Sequence, residues 1–316
     1  MIKRKINSKE TTTKGFDHLY PFKSNFLTIN GGGSQNITLQ HKMHYIDKGS
    51  GKAVLMLHGN PTWSFYFRSL IKELSANGFR AIVPDHIGCG FSDKPNPINY
   101  GYTLKNRVND IEVLVNSLNL KPDEKISLIL HDWGGMIGLA WAVQNLDIVD
   151  KIVITNTSGF FLPNDKKLPL RLWLIKYLKL FATPAVLGFN LFSFAALYMA
   201  PFKKLQKEVK KGLTAPYNSW KNRVATLKFV QDIPITEADK SYELVKYVDE
   251  NLFKLKKVQM AILWGEHDFV FDLSFFRQWK VRFPNVPVYL FKDAGHYLFE
   301  DKPNETASII KNFLLG

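Results

Sequence analysis

Ile126-Ser127-Leu128-Ile129-Leu130-His131-Asp132-Trp133-Gly134-Gly135-Met136 is an apolar run that breaks at a short polar turn and continues into a helical pattern reaching Gln144. A strand, a sharp turn backed by glycines and then a helix is the setting of a nucleophile elbow. The nucleophile position holds a carboxylate, Asp132, where an esterase carries serine. A carboxylate is already ionised at neutral pH and displaces leaving groups at saturated carbon, giving an enzyme ester that can be broken down again. Serine attacking the same carbon would be trapped as an ether. The choice of residue points to an enzyme that opens carbon–halogen or strained carbon–oxygen bonds.

Outward from this turn, strand-like runs recur at 25–29, 42–46, 53–57, 81–83, 152–155, 260–263 and 288–291, making eight with 126–130. Helical patterns over 64–75, 104–118, 136–144, 273–283 and 304–314 separate most of them. The alternation predicts a mostly parallel doubly wound sheet, and continuous apolar strands suit burial on both faces. Between about Gly159 and Asp249 no strand is convincing, and the stretch reads as a helical cap inserted into the sheet domain. The expected units are therefore 1–158 and 250–316 as the two parts of the core and 159–249 as the cap. Within the cap, Leu180 to Phe202 carries no charge and is bracketed by Lys176, Lys179, Lys203 and Lys204. Its length would suffice to cross a bilayer. Pro184, Gly188, Asn190 and Pro201 interrupt it, however, and strands of one sheet lie on both sides. Cap helices lining a long apolar pocket are the preferred reading; peripheral contact of a basic-rimmed cap with a membrane is the other.

The chain of 316 residues is long enough for one large α/β domain with an insertion, and 46% apolar residues exclude wholesale disorder. One cysteine, Cys89, excludes a disulfide framework and a thiolate metal cluster and suits a reducing cytoplasm. The opening stretch Met1 to Gly15 is polar and basic, unlike a cleaved secretory signal. Net charge is formally +14. No nucleic-acid-binding module accompanies it. An anionic membrane, an acidic partner or a general lysine bias remain as readings of the charge.

Four further segments complete a constellation. His58-Gly59-Asn60-Pro61-Thr62-Trp63 follows the third strand, where a hydrolase fold places its second oxyanion-hole amide. Asp85 to Asp93 follows the fourth; its glycines suit a tight turn, and it receives no catalytic role. Trp264-Gly265-Glu266-His267-Asp268 ends a late strand, and Asp293-Ala294-Gly295-His296 follows the last. In the order nucleophile, acid, histidine, Asp132 attacks, His296 is the base for a water that would cleave the ester, and Asp268 orients His296 and stabilises its charged form. A Gly-His pair alone would be a surface turn; this company makes it catalytic.

HGNPTW, DHIGCGFSDKP and HDWGG resemble the haloalkane dehalogenase family of α/β-hydrolases over nearly the whole chain. The resemblance implies an α/β-hydrolase fold: an eight-stranded, mostly parallel sheet flanked by helices, with an inserted cap. It also implies that Asn60 and Trp133 supply side-chain N–H groups to a leaving anion. Two departures stand out. Leu130 sits where an elbow usually has a small residue, and Thr155-Asn156-Thr157-Ser158-Gly159 lacks the carboxylate that one dehalogenase subgroup carries there. Asp268 is then the acid, with Glu266 and Asp272 as rivals. Tyr20-Pro21-Phe22, HDWGGMIG, Ala215 to Trp220, Phe229 to Pro234 and Asp268 to Asp272 further resemble the β-lactone decarboxylases of bacterial long-chain olefin biosynthesis. That likeness implies conversion of cis-3-alkyl-4-alkyloxetan-2-ones to cis-alkenes and CO2. It implies no metal or organic cofactor, a small apolar substrate, no nucleic acid, and other olefin-pathway enzymes, such as a β-lactone synthetase, as partners. Attack at C4 and attack at the lactone carbonyl are both open. Dehalogenation of alkyl halides is the alternative activity. Epoxide hydrolysis is a further one, for which Tyr177, Tyr198 and Tyr217 are available as proton donors. Leu168 to Phe202, with Trp173, is expected to line the pocket for two alkyl chains.

Overall fold

A computed structural model describes residues 12–30 and 39–316; most of the basic opening stretch lies outside the described residues. Eight strands form one sheet: β1 Ser24–Asn30, β2 Gln40–Lys48, β3 Lys52–Leu57, β4 Phe79–Pro84, β5 Ile126–His131, β6 Val149–Thr155, β7 Gln259–Gly265 and β8 Val288–Phe291. Their order is β1-β2-β4-β3-β5-β6-β7-β8. β1 and β2, and β2 and β4, pair antiparallel, and every other pairing is parallel. Successive β5 residues feed opposite layers, Leu128 and Leu130 one core and Ile129 the other, as a strand's two-residue period requires. The helix Arg68–Ala76 and the helix Pro303–Leu315 cover one face through Leu70, Leu74, Ile310 and Leu314. The helices Leu104–Ser117 and Trp133–Ala142 cover the other.

Chain direction across the sheet reverses between β3 and β5, because β4 follows β3 on one side and β5 pairs with it on the other. Crevices open at the carboxyl ends of strands at such a switch point. The loops carrying Asn60 and Asp132 leave β3 and β5 there.

The predicted helix over 64–75 is in fact a 3-10 turn, Ser64–Phe67, followed by Arg68–Ala76. Asp85 accepts the Ser64 amide at 2.8 Å and bonds His44 Nδ1 at 2.7 Å, so the turn is fixed by a buried carboxylate from another loop. The helix after the elbow starts at Trp133, three residues before the apolar pattern suggested.

Leu130 at the elbow is accommodated by an absent side chain elsewhere. A Cβ on Gly138 would lie 2.3 Å from Leu130 Cδ2, so the helix approaches β5 closely only because Gly138 has none. Gly134 lies similarly against the backbone, where a Cβ would meet Leu57 O at 2.0 Å.

Between β6 and β7 the described residues form helices and turns. Among them are Leu170–Tyr177, Lys179–Thr183, Leu191–Met199, Lys207–Thr214, Val224–Gln231 and Tyr242–Asn251. Ala182, Val186, Leu187 and Leu227 make a small core of their own there. No single helix among the described residues is long and apolar enough to cross a membrane; Lys179–Gly188 and Leu191–Met199 meet at a 75° bend.

Gly138→Ala should lower unfolding free energy by about 1–3 kcal/mol through overpacking, and Leu130→Val in the same chain should recover part of that loss. Denaturant unfolding of both single variants and the double variant measures the coupling; additive losses would show that the two sites do not share this contact.

Candidate active site

Asp132 stands just past β5 with φ +52°, in the left-handed region that a side chain other than glycine occupies at a cost of about 1–3 kcal/mol. The turn is held from several sides. The Asp132 amide donates to Asn156 O at 3.2 Å, its carbonyl accepts Gly135 N at 2.9 Å, and Thr157 Oγ1 donates to the same carbonyl. Strain here aims the carboxylate away from the sheet.

The two carboxylate oxygens are treated differently. Oδ1 accepts the backbone N–H of Asn60 at 3.0 Å and that of Trp133. Oδ2 lies 3.0 Å from His296 Nε2. A Cβ on Gly59 would fall 2.1 Å from Asp132 Oδ1, so a glycine before Asn60 is what lets the loop reach the carboxylate. The loop itself is braced by two histidines. His58 Nδ1 bonds Gly59 O at 2.8 Å, and the His86 amide donates to His58 Nε2 at 3.1 Å. His58 and His86 both have pKa values lowered by burial and are neutral scaffold groups.

His296 bridges two carboxylates. Its Nδ1 lies 2.6 Å from Asp268 Oδ2, while Asp268 Oδ1 accepts the amides of Val270 at 2.7 Å and Phe271 at 3.0 Å. Burial alone would lower the imidazole pKa. The Asp268 charge and the bonds to Asp132 and Asp268 outweigh it and push the value up to about 10. His296 is therefore an imidazolium at neutral pH, held between the two carboxyl groups. The ring of His131, the residue before Asp132, lies 4.8 Å from it between centroids at a tilt of 41°, with its own pKa lowered well below normal by burial, so only one of the two rings is charged.

Neither rival for the acid meets His296. Asp272 caps the helix Leu273–Arg282 by accepting the Ser274 amide at 2.9 Å and pairs with Lys166. Glu266 makes no side-chain hydrogen bond among the described residues, and it is Asp268 that meets His296.

Trp133 is partly buried, packs against Phe229 at 5.4 Å between ring centroids, and its Nε1 is bonded to no protein group among the described residues. Asn60 donates through Nδ2 to Thr226 O at 3.0 Å, which leaves the second N–H of that nitrogen free. Both side chains, with Asp132 and His296, line one cavity of about 630 Å3. The rest of its wall is mostly apolar and comes largely from the segment between β6 and β7, including Leu172, Ile175, Phe181, Phe192 and Met199. Trp173 and Phe202 differ from expectation: neither lines the cavity, and both are exposed. Tyr177, Tyr198 and Tyr217 do not line it either; Tyr217 is buried and donates to Thr62 O at 3.1 Å. A paired-tyrosine epoxide site is therefore not built here. No group of three potential metal ligands gathers anywhere among the described residues.

Three supporting residues escaped the sequence reading. Asn156 occupies the strand end where the carboxylate was missing; it binds both the amide of Gly265, at 2.8 Å, and its carbonyl, at 3.1 Å. It thus ties the end of β6 to the end of β7, from which Asp268 follows. Asp301 accepts the amides of Gly295 at 2.8 Å, Phe202 at 2.8 Å and Lys203 at 2.9 Å, joining the histidine loop to the foot of the cap. Thr226 anchors Asn60 from the cap through its carbonyl. A polar residue at a strand end was the one available signal, and only for Asn156.

Fold and site together define an α/β-hydrolase with a carboxylate at the elbow. The α/beta hydrolase fold family model matches residues 52–303. Over 299 residues the chain is 46% identical to cis-3-alkyl-4-alkyloxetan-2-one decarboxylase of Shewanella oneidensis, covering 94% of this chain and 90% of that protein. It is 38% identical over 279 residues to the protein of the same name from Xanthomonas campestris, covering 86% and 92%. Haloalkane dehalogenase 2 of Mycobacterium bovis is 28% identical over 301 residues, 93% and 96% of the two chains. Among solved structures, haloalkane dehalogenase DatA from Agrobacterium tumefaciens superposes with a TM-score of 0.77 at 21% identity, over 92% of this chain and 96% of that one. The chain belongs to the cis-3-alkyl-4-alkyloxetan-2-one decarboxylase family of α/β-hydrolases, and dehalogenases are its more distant relatives.

Because its folded pKa lies above the unfolded value near 6.5, His296 adds stability that is complete below about pH 6.5 and is lost as pH rises toward 10. Nitrogen-15 NMR of the imidazole should show it protonated at pH 8, and Asp132→Asn should move its titration midpoint down. A midpoint near 6.5 in the parent protein would contradict the charge assignment.

Proposed function

We propose that the protein converts cis-3-alkyl-4-alkyloxetan-2-ones to cis-alkenes and CO2, with Asp132 as nucleophile. What carries the reading is the Asp132 carboxylate in the wall of a mostly apolar cavity, in a chain so like two decarboxylases of that name.

The geometry favours attack at C4 of the lactone ring. Attack at the carbonyl would create an oxyanion needing backbone donors, but the amides of Asn60 and Trp133 are already engaged by Asp132 Oδ1. Attack by Oδ2 at C4 breaks the C4–O bond with inversion and releases the ring oxygen as a carboxylate on C3. Trp133 Nε1 and the free N–H of Asn60 are the donors left for that anion. The bond between C3 and the carboxylate then breaks, its electrons form the alkene, CO2 departs and Asp132 is expelled anti to it. Inversion followed by anti elimination carries a cis lactone to a cis alkene.

Water is not consumed on this route, so His296 has a different task from a hydrolytic base. Held as an imidazolium by Asp268, it stands 3.0 Å from the oxygen that must leave as a carboxylate, and it lowers the energy of that departure electrostatically. Asp268 supplies the opposing charge. Asp132, His296 and Asp268 thus work as a triad.

Two alkyl chains gain roughly 0.8 kcal/mol for each methylene buried, and the apolar wall supplies that surface. A reaction that closes 3-hydroxy acids to β-lactones must supply the substrate; this supports a role in long-chain olefin biosynthesis with a β-lactone synthetase as partner, and the single cysteine suits the cytoplasm.

Gas chromatography of wild-type protein with a synthetic cis-β-lactone should show cis-alkene. Asp132→Ala should abolish it, and a bromoalkane offered alongside should release no halide at a comparable rate. Trp133→Phe should lower kcat on the order of 10²-fold, the usual effect of removing one anion donor. No alkene from the wild type would end the reading.

A further inference from the structure

The segment 166–231 holds thirteen lysines and arginines and a single acid, Glu208, so it carries a formal +12 of the chain's +14. A general lysine bias would spread the excess along the chain. Instead the 250 residues outside this segment carry only a formal +2 between them. Only Lys166, Lys176 and Lys203 among the thirteen form ion pairs with carboxylates of the described residues. Lys167, Arg171, Lys179, Lys204, Lys207 and Lys211 are exposed.

The same segment turns large apolar side chains into solvent. Leu180 is 89% exposed, Phe181 75% and Phe189 73%, and Leu170, Trp173 and Tyr198 join them. Exposed apolar surface concentrated in this way marks an interaction site. These residues belong to the short helices Leu170–Tyr177, Lys179–Gly188 and Leu191–Met199 and their connections. At 1.5 Å per residue such helices are far shorter than a bilayer's hydrocarbon core of about 30 Å. They meet at a bend, and both neighbouring strands, β6 and β7, lie in one sheet. The geometry suits lying in an interface rather than crossing it.

A third observation links this face to the cavity. Leu174, Leu178, Phe181 and Leu191 line the cavity and are also exposed, so they form its lip on the apolar face. Around it the chemistry is that of an interfacial anchor, with leucine and aromatic side chains in the middle and cations beside them. Lys210 Nζ sits 4.1 Å from the centre of the Tyr198 ring.

We propose that the outer face of the cap docks on an anionic phospholipid bilayer, and that the cavity takes its substrate from the bilayer through the lip at Leu178 and Phe181. Apolar side chains insert at the level of the headgroups, and the unpaired lysines face lipid phosphates. The docking stands on charge and exposure alone. The delivery rests on the reading of a two-chain apolar substrate given above.

Flotation of the full-length protein with vesicles tests the docking separately from the chemistry. Binding to phosphatidylcholine–phosphatidylglycerol vesicles should be strong, should fall at least about tenfold on pure phosphatidylcholine, and should weaken in high salt. Leu180→Ser with Phe189→Ser, neither of which lines the cavity, should lower binding at least about tenfold, as should Lys204→Glu with Lys207→Glu. The Leu180→Ser, Phe189→Ser variant should still turn over detergent-dispersed lactone at the wild-type rate, which shows that it is folded and isolates the loss to docking. No flotation of the wild type, or equal flotation of the variants, overturns the proposal. So does a dimer in analytical ultracentrifugation that this variant dissociates without any vesicle binding, because a second copy would then cover the face.

Discussion

Two backbone amides holding one oxygen of Asp132 are the constraint on which the rest of the site depends. They fix the carboxylate plane, so that the other oxygen faces His296 and the cavity. To bring both amides to one atom the chain accepts a left-handed residue at Asp132, and glycines at 59 and 134 where loops and strands press together. A hydrogen bond from the Asp132 amide to Asn156 O and one from Thr157 Oγ1 to the Asp132 carbonyl offset that strain from the neighbouring strand end. Had the amides been free, the same elbow would suit acyl transfer. Occupied, they leave the indole of Trp133 and the amide of Asn60 as the donors for a departing anion.

Charge balance follows from the same arrangement. Two carboxylates and one imidazolium are buried together, and each carboxylate is also bonded to backbone N–H groups. The imidazolium is therefore not a free acid poised to give up its proton; its neighbours raise its pKa to about 10. On the proposed route, an ester at Asp132 would lose its charge and one of the two supports of the proton would disappear. In a dehalogenase the histidine would then be ready to activate water. In a decarboxylation, electrons arriving from the breaking C–C bond restore the carboxylate before water is required. A mostly apolar cavity wall favours the second outcome.

The cap joins site and surface. Its inner side supplies most of the apolar wall, and one of its carbonyls, Thr226 O, holds Asn60. Asp301 fastens its foot to the loop bearing His296. Within the cap, 166–231 alone carries a formal +12 of the chain's +14, while the sheet carries the elbow carboxylate.

The residue types and their order along the chain were enough to read the class of fold and to nominate Asp132, Asp268 and His296, which the structure brings together. A strand, turn and helix around Asp132, and late strand ends bearing Asp268 and His296, are local patterns set by backbone sterics and two-residue or helical periods. Nothing local reveals Gly138 making room for Leu130, Asn156 clamping Gly265, or Asp301 joining two loops, because each pairs residues distant in sequence whose meeting depends on strand order. The split of the 64–75 helix has the same origin, in the Asp85 carboxylate from another loop. Hydrophobicity along the chain was likewise blind to direction. It marked 168–202 as apolar, but only packing decided that Phe192 and Met199 face the cavity while Leu180 and Phe189 face outward. A short helix has two sides, and which of them is buried is chosen by the surface it lands on.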